Sequence, residues 1–303
     1  MSHAALLVLA LLLDAALGEP RWLWDRLPHP AILMGRAVGW IDRRFNAGDH
    51  RRRKGVLALG GLVLAAGASG WVLQWLPGPF ADIIICAILL AQKSLARHVQ
   101  AVGDALRLSV GDGRRSVAMI VGRDTGAMDG SAIARAAIES AAENLSDGVT
   151  APAFWFLIGG LPGLLIYKIS NTADSMIGHR TPRYEQFGWA AARFDDLLNL
   201  IPARLTALLI WLTTRPANVW PAIIAEARRH RSPNAGWPEA AMARVLNVAL
   251  SGPRSYGGRM TDFPYVHPSG KRDIGAAEID AAVCTLWQTW GIGLAMVAVI
   301  VLI

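Results

Sequence analysis

Cysteine and charge are both scarce in this chain of 303 residues. The two cysteines, Cys86 and Cys284, each lie in an apolar stretch, which excludes a cysteine-rich metal site. Charged residues make up 17% of the chain, below the roughly 25% that is usual in soluble domains. The sequence also lacks a GxxxxGK[ST] loop, a GxGxxG fingerprint, an HExxH motif and a GxSxG motif. Common nucleotide-binding loops, zincins and α/β-hydrolases are therefore excluded.

Apolar residues are abundant instead: 53% of the chain is hydrophobic and the mean hydropathy is +0.34. They collect in blocks separated by polar, arginine-rich stretches, which is typical of a chain that folds in a bilayer. The pattern predicts an all-α polytopic membrane protein, a single embedded domain over residues 1–303 with about 4–6 membrane-embedded helical segments. The predicted apolar segments are residues 3–18, 55–76, 80–92, 151–167, 201–214 and 284–303.

Three of these blocks admit a second interpretation. Residues 3–18 resemble a signal peptide, but no basic region precedes them and Asp14 interrupts them. Block 151–167 is broken by glycines and Pro162, and block 201–214 is short and contains Arg204. Either of these two is a full span or a half-helix that enters the membrane and returns.

The net charge of +7 allows three partners: nucleic acid, anionic lipid headgroups or an anionic substrate. We expect no nucleic acid, because no helix-turn-helix, RRM or zinc pattern accompanies the arginines. Basic loops on the inner side of a membrane explain most of the charge.

A helix is predicted at residues 131–145, and a cap at Asp129 or Ser131 would begin it. One polar stretch precedes this helix and a second lies within it. The Gly-Arg-Asp-Thr sequence before it is either a structural turn or a phosphate or metal contact at a helix entrance. Glu139 and Glu143 share a helix face, with Arg135 one turn earlier to relieve their repulsion. They form either an exposed charged face or a site for a divalent or substrate cation.

Two further polar stretches lie beside apolar blocks. The first, residues 167–180, combines Lys168, a point charge suited to phosphate, with the oxygen ligands Asn171 and Asp174. In the second, Asp195, Asp196 and Asn199 fall within one helical turn. Adjacent carboxylates beside hydrocarbon are costly unless a cation neutralises them, so magnesium binding is favoured over simple solvation. A second predicted helix covers residues 237–250.

The order of the motifs resembles one family. The chain contains LDAALGEPRWLW, LPHPAILMGR, VGRDTGAMDGSAIARAAIESAAENLSDGVTAPAF, YKISNTADSMIG, ARFDDLLNLIPARL, SPNAGWPEAAMA and LSGPRSYGG. From about residue 10 to about residue 280 it is similar to the adenosylcobinamide-phosphate synthase family of cobalamin biosynthesis, called CobD or CbiB. Glu19 stands where an aspartate would be expected, and both are acidic.

The resemblance implies an amide-forming ligase. It would join aminopropanol, or its O-phosphate, to a propionate carboxylate of the corrinoid adenosylcobyric acid, with ATP and Mg²⁺. We assign Glu139, Glu143 and Lys168 to catalysis, with either glutamate positioning the amine and taking its proton. The predicted metal ligands are Asn171, Asp174, Asp195, Asp196 and Asn199. The predicted contacts to the nucleotide or other phosphates are Arg123, Asp124, Thr125, Asn144, Asp147, Arg180 and Arg204.

Two other functions stay open. A magnesium-dependent membrane transferase would also use a DDxxN motif, but would carry a second acidic motif on another long span. A non-enzymatic sensor related to the β-lactamase-induction proteins would keep the topology and lose the acidic clusters. The need for a soluble partner enzyme also stays open.

The distribution of basic residues predicts the orientation. Residues 19–54 contain nine Lys or Arg and residues 93–135 contain seven, which places both on the inner side and the N-terminus outside. We expect a multi-pass protein of the inner, cytoplasmic membrane, with its active site and residues 169–199 facing the cytoplasm. Block 151–167, if helical throughout, reaches only about 25 Å. We therefore predict that it and block 201–214 are re-entrant or half-helical.

Overall fold

The computed structural model describes the backbone of residues 1–303 and every side chain except those of Arg21 and Tyr256. The described backbone is predominantly helical, with one π-helical turn at Ser146–Thr150. The helices are α1 (His3–Leu17), α2 (Arg21–Trp24), α3 (Pro30–Phe45), α4 (Arg51–Leu73), α5 (Phe80–Leu89), α6 (Gln92–Leu108), α7 (Val110–Val117), α8 (Gly130–Leu145), α9 (Ala151–Ile177), α10 (Trp189–Leu198), α11 (Leu200–Thr214), α12 (Trp220–Ala227), α13 (Gly236–Leu246) and α14 (Ala276–Leu302).

Four short strands interrupt the helical fold and were not predicted. They are β1 (Leu250–Ser251), β2 (Arg254–Tyr256), β3 (Arg259–Thr261) and β4 (Tyr265–Val266). β1 pairs antiparallel with β4, Leu250 opposite Val266, and β2 pairs antiparallel with β3, Arg254 opposite Thr261. With two or three residues each, they are too short to show an alternating pattern in the sequence.

By length and composition, three segments qualify as membrane spans: Arg51–Leu73, Gly130–Ile177 and Ala276–Leu302. The bent pair α10 and α11 would make a fourth if it is one broken span, whereas α1, with 15 residues, is shorter than these. The prediction of an all-α polytopic membrane protein is confirmed.

Several predicted boundaries were wrong. The block at 80–92 is not one helix, because α5 ends at Leu89 and a new helix, α6, begins at Gln92. The segment predicted at 151–167 ends ten residues too early, because α9 continues to Ile177. The helix predicted to end at residue 250 stops at Leu246, where Asn247 takes a left-handed conformation (φ 53°). The last helix begins at Ala276, eight residues before the predicted apolar block.

The chain forms two compact units. Unit 1 comprises Met1–Ala91, Asp147–Leu200 and Met296–Ile303, and unit 2 comprises Gln92–Ser146 and Ile201–Ala295. Each unit is assembled from segments that are distant in sequence. The prediction of a single embedded domain stays a prediction.

In unit 1, α4 and α9 pack closely in opposite directions. A Cβ atom on Gly70 would come within 2.5 Å of the Pro162 nitrogen, and one on Gly67 within 3.2 Å of Ile166. At the other end of α4, a Cβ on Gly55 would overlap the carbonyl of Phe187. Glycine at these positions removes the side chain that would hold the backbones apart, so α4 lies against the part of α9 after Gly160 and, at its N-terminal end, against the segment that follows α9.

Helix α9 folds back on itself at Gly160, whose φ of 57° and ψ of −148° are not helical. A Cβ on Gly163 would overlap the carbonyl of Trp155, and the Tyr167 hydroxyl donates to the carbonyl of Asp147 over 3.1 Å. In a continuous helix, twenty residues would separate those last two groups by about 30 Å. Although composition alone qualifies Gly130–Ile177 as a span, residues 151–177 are two half-helices in a hairpin.

The hairpin agrees with the predicted half-helical character of block 151–167, but the length argument behind that prediction was wrong. The helical region is 27 residues rather than 17, and the reversal occurs two residues before Pro162. Glycine at 160, and not the short length, makes the hairpin.

Unit 2 is built around α8. The Asp129 side chain accepts from the N–H of Ala132 over 2.7 Å, which confirms the predicted cap. The alanine-rich sequence that follows is buried almost throughout, against α6, α7 and α13. Glu139 lies on this buried helix, so its carboxylate requires partners within the protein.

Candidate functional site

The metal ligands predicted in unit 1 lie on α9 and α10, which bring four of the polar side chains into one network. Asn171 donates to one carboxylate oxygen of Asp195 over 3.3 Å, and Asn199 donates to the other over 3.0 Å. The buried hydroxyl of Tyr167 lies 3.1 Å from the amide oxygen of Asn199, so its single hydrogen is shared between that oxygen and the carbonyl of Asp147. Asp195 and Asn199 are themselves buried. The structure therefore joins Asp195, Asn199 and Asn171, as predicted, and adds Tyr167.

Charged groups surround this network. Asp174 and Asp196 lie close enough to Asp195 to interact with its charge. Asp196 is half-buried and pairs with Arg193 over 3.5 Å, and the charge of Arg180 also reaches it. Lys168 interacts electrostatically with Asp147 and Glu19, so it too belongs to the polar part of unit 1. Glu19 had no assigned role.

The donor chemistry of this cluster suits Mg²⁺, which prefers carboxylate and amide oxygens. Its arrangement is not that of a formed metal site. Both Asp195 oxygens already accept amide hydrogens, and among the described side chains no three His, Cys, Asp or Glu groups lie together as ligands for one ion. Each Asp195 oxygen keeps a second lone pair for an ion, whereas Asn171 and Asn199 present amide hydrogens to Asp195 and would become ligands only if their amide oxygens turned towards it.

Glu139 is the centre of the charged cluster in unit 2. One carboxylate oxygen, Oε2, pairs with Arg123 over 2.7 Å and with Arg254 over 3.3 Å. The other, Oε1, accepts the backbone N–H of Ser251 over 2.7 Å. The side chains of Arg123 and Glu139 are only 9% and 5% exposed, which makes this a buried ion pair.

The predicted partner of Glu139 was wrong. Arg135 instead donates to the carbonyl of Arg272 over 3.3 Å and lies over the ring of Tyr265. Arg123, predicted to contact phosphate, takes its place because the turn before α8 lies against Glu139. Two guanidinium groups and one N–H already occupy its carboxylate oxygens, so Glu139 suits an anchor better than a proton acceptor.

The remaining predicted residues of unit 2 are distributed around this pair. Asp124 accepts the Gly258 N–H over 2.7 Å and the Ser255 hydroxyl over 2.8 Å, and these bonds lower the pKa of Asp124. It thereby holds the β2–β3 hairpin. Thr125 lies in the same turn, and its carbonyl accepts the N–H of Met128. Phosphate contact by either residue stays a prediction.

Three more predicted residues lie elsewhere in unit 2. Glu143 and Asn144 are exposed one turn beyond Glu139, and Asn144 donates to the Ser140 carbonyl over 2.9 Å. Arg204 donates to Asn234 over 3.1 Å and lies over the ring of Trp237. These contacts account for the Arg204 position structurally, and its contact with phosphate stays a prediction.

Comparison with known proteins places these clusters in a family. The CobD/Cbib protein family matches residues 7–286, a range that contains every residue of both clusters. The chain belongs to the CobD/Cbib family. It is 50% identical over 302 residues to the cobalamin biosynthesis protein CobD of Brucella anthropi, covering 94% of this chain and 92% of that protein. No solved structure matches.

Other relatives carry the same description. The cobalamin biosynthesis protein CobD of Rhizobium meliloti is 49% identical, with 93% of this chain and 92% of the relative covered. That of Rhodobacter capsulatus is 48% identical over 280 residues, 88% of each chain. Membership of the CobD/Cbib family supports a role in cobalamin biosynthesis.

The structure of this CobD/Cbib protein also contains functional candidates that the sequence reasoning missed. Ser251 and Arg254 belong to the LSGPRSYGG motif. Glu239 lies in the SPNAGWPEAAMA motif, and His230 comes two residues before it. Neither motif was given a chemical role. His230 Nε2 lies 3.7 Å from Glu239 Oε1. The charged and polar residues within those motifs could have indicated a functional role, but the residues that they contact are distant in sequence and could not be predicted.

Glu239 and His230 are both held towards their neutral forms. Burial, with the nearby charges of Glu139 and Glu143, raises the pKa of Glu239 well above its usual range. Burial likewise lowers the pKa of His230. Both shifts disfavour the ionised pair at this contact. A carboxylate with a raised pKa is suited to general acid or base catalysis, so Glu239 is a further candidate for that role.

Proposed function

We propose that this protein is the ATP-dependent amide-forming ligase that joins aminopropanol, or its O-phosphate, to the propionate carboxylate of adenosylcobyric acid. The observation that carries the proposal is the family match over residues 7–286, with relatives near 50% identity that are named cobalamin biosynthesis proteins. The charged clusters in both units supply side chains of the types that this chemistry needs.

The reaction requires activation because a carboxylate does not condense with an ammonium group in water. A carboxylate oxygen of the corrinoid attacks the γ-phosphorus of ATP, and ADP leaves. The amine nitrogen, after losing a proton, attacks the acyl carbon, and phosphate leaves. The balance is one amide, one ADP, one phosphate and one proton for each carboxylate and ammonium consumed.

The residues of this chain would divide the work as follows. Arginines and Lys168 would hold phosphate oxygens, since guanidinium and ammonium groups offset the charge that develops there. Asp174, Asp195 and Asp196 would hold Mg²⁺, which when bound offsets phosphate charge. Glu143 is the better of the two predicted acceptors for the amine proton, because Glu139 is committed to Arg123 and Arg254.

The test is formation of the amide by purified protein in lipid nanodiscs with ATP, Mg²⁺, adenosylcobyric acid and either form of the amine. Chelation of Mg²⁺ should stop the reaction. Asp196→Asn should lower turnover by about 10–100-fold without changing the unfolding temperature, because its carboxylate is half-exposed. Asp195→Asn should lower both the turnover and the unfolding temperature, because the Asp195 carboxylate accepts two hydrogen bonds from side-chain amides in the protein interior.

The matched control is Glu185→Gln, which removes an exposed carboxylate of unit 1 that has no assigned role. It should leave turnover unchanged. Absence of amide product from the wild-type protein with either form of the amine would reject the ligase and leave the sensor or transferase. Wild-type turnover in Asp196→Asn at saturating Mg²⁺ would reject the metal assignment alone.

A further inference from the structure

Unit 2 contains a cavity that none of the predicted site residues accounts for. Its volume is about 210 Å³, and it lies between the end of α12, α13 and the β1–β4 pair. The side chains that matter for its chemistry are Arg229, Arg231, Arg244, Arg254, His230 and Ser251. The acidic residue that lines it is Glu226, so the lining carries an excess of positive charge.

The arginines divide into two pairs. Arg244 is neutralised by Glu226, which it contacts through Nη2 over 2.5 Å and through Nε over 3.3 Å. Arg254 is paired with Glu139. Arg229 and Arg231 have no acidic partner within 4.0 Å among the side chains that the structure describes. Two positive charges at this cavity are thus left for a ligand.

The walls of the cavity are fixed by contacts within unit 2. Glu226 also accepts the backbone N–H of His267 over 3.1 Å, which ties α12 to the segment after β4. Arg231 and Arg254 both lie against the ring of Phe263, at 5.2 Å and 5.1 Å from its centre. The guanidinium groups of Arg231 and Arg254 are therefore oriented before a ligand arrives, which lowers the entropy lost on binding.

Size and charge together select the ligand class. The cavity is smaller than the roughly 300–1,000 Å³ of sites for drug-sized ligands, which excludes a corrin ring as its occupant. A phosphate ester carries about −1.5 to −2 charges near neutral pH, and guanidinium groups match its oxygens in bidentate geometry. Two unneutralised arginines balance that charge.

We propose that this cavity binds the phosphate group of a substrate, either the polyphosphate of a nucleotide or the monoester of a phosphorylated amino alcohol. The inference rests on the proposed function for the identity of those two substrates, and on the cavity alone for the phosphate class. The site lies beside the Glu139 cluster, because Arg254 contacts Glu139 and lines the cavity.

The experiment measures binding to the full-length protein in nanodiscs by calorimetry. The probes are inorganic tripolyphosphate, ATP, aminopropanol phosphate and unphosphorylated aminopropanol. The test variant is Arg229→Gln combined with Arg231→Gln. Arg228→Gln is the matched control, since it removes an exposed arginine of the same segment that does not line the cavity. Both targeted arginines are exposed, so the fold should survive, and the unfolding temperature checks this.

The double variant should weaken binding of at least one phosphorylated probe by tenfold or more, while Arg228→Gln stays within twofold of wild type. Loss confined to ATP and tripolyphosphate identifies the nucleotide as the ligand, and loss confined to aminopropanol phosphate identifies the amine substrate. Equal affinity of the double variant and Arg228→Gln for every phosphorylated probe overturns the inference. So does the absence of phosphate binding by the wild-type protein.

The outcome is separable from that of the ligase assay. If the wild-type protein makes no amide but binds tripolyphosphate in a manner that depends on Arg229 and Arg231, the proposed function fails and the phosphate site stands. If amide forms and the double variant retains wild-type KM for ATP and for the amine, the ligase stands and the phosphate site fails.

Discussion

Glu139 joins three parts of unit 2 through one carboxylate. It contacts Arg123 in the turn before α8, the backbone of Ser251, 112 residues away, and Arg254 at the start of β2. Removing one member of a buried ion pair is costly, because the remaining charge keeps its desolvation penalty without the compensating attraction. Here one substitution would leave two guanidinium groups uncompensated.

Glu139→Gln should therefore lower the free energy of unfolding by about 3 kcal/mol, whereas Glu143→Gln should change it by less than about 0.5 kcal/mol. The two residues are one helical turn apart, but Glu143 is exposed. Denaturant-induced unfolding in detergent, followed by tryptophan fluorescence, measures both. Equal stability of the two variants would mean that the Glu139 cluster is not a structural anchor.

At the scale of the element, the hairpin in α9 depends on one glycine. Gly160 combines φ 57° with ψ −148°, a region that is almost restricted to glycine. A Cβ there would overlap the amide of Gln74 and approach His3 Nε2 to 2.9 Å. Its neighbour Gly159 has helical geometry, and a Cβ added there would meet no atom within 4 Å.

Gly160→Ala should consequently destabilise the protein by about 1–3 kcal/mol through backbone strain. The steric overlap of the new Cβ with Gln74 should lower the stability further. Gly159→Ala should be neutral or slightly stabilising, since alanine favours the helix. Yield and unfolding temperature of the two variants in detergent give the comparison. If Gly160→Ala folds as well as Gly159→Ala, the reversal between the two half-helices is not set by this residue.

At the scale of the whole molecule, the membrane orientation follows from which ends of the helices lie together in unit 1. The basic N-terminus of α4 packs beside the segment that follows α9: Arg51 donates to the carbonyl of Arg183 over 3.5 Å, and Arg52 lies 3.8 Å from the ring centre of Trp189. The opposite end of α4 contacts Gly160. If the basic end faces the cytoplasm, the C-terminal end of α9 does too.

A single cysteine at Ser175, with Cys86 and Cys284 replaced, should accordingly resist an impermeant thiol reagent added to intact cells and react in inside-out vesicles. Ser175 is exposed, so lack of reaction in cells would reflect its side of the membrane and not burial. A cysteine at Ser2, next to the end of α1 that contacts the Gly160 turn, serves as the opposite control and should react in intact cells. Labelling of Ser175→Cys from outside would reverse the orientation and withdraw Lys168 and Arg180 from the proposed ATP-dependent reaction.

The sequence by itself determined what depends on neighbouring residues and on total composition. Apolar blocks of sufficient length imply membrane helices, Asp129 before an alanine-rich run implies a cap, and the ordered motifs imply the CobD/Cbib family. The grouping of Asp195 with Asn199 was also predictable, because they lie one turn apart on consecutive helical residues. Each of these inferences concerns groups within a few residues of each other.

The tertiary structure decided which distant side chains meet. Arg135 is close to Glu139 in sequence and Arg254 is far from it. Arg254 is nevertheless the residue that pairs with Glu139, because the chain after α13 returns to the buried side of α8. The cavity with Arg229 and Arg231 likewise forms only when α12 and the β1–β4 pair pack together. Spacing in sequence specifies a helix face, but it does not specify what packs against that face. The partners of a buried charge are set by packing, and so they required the structure.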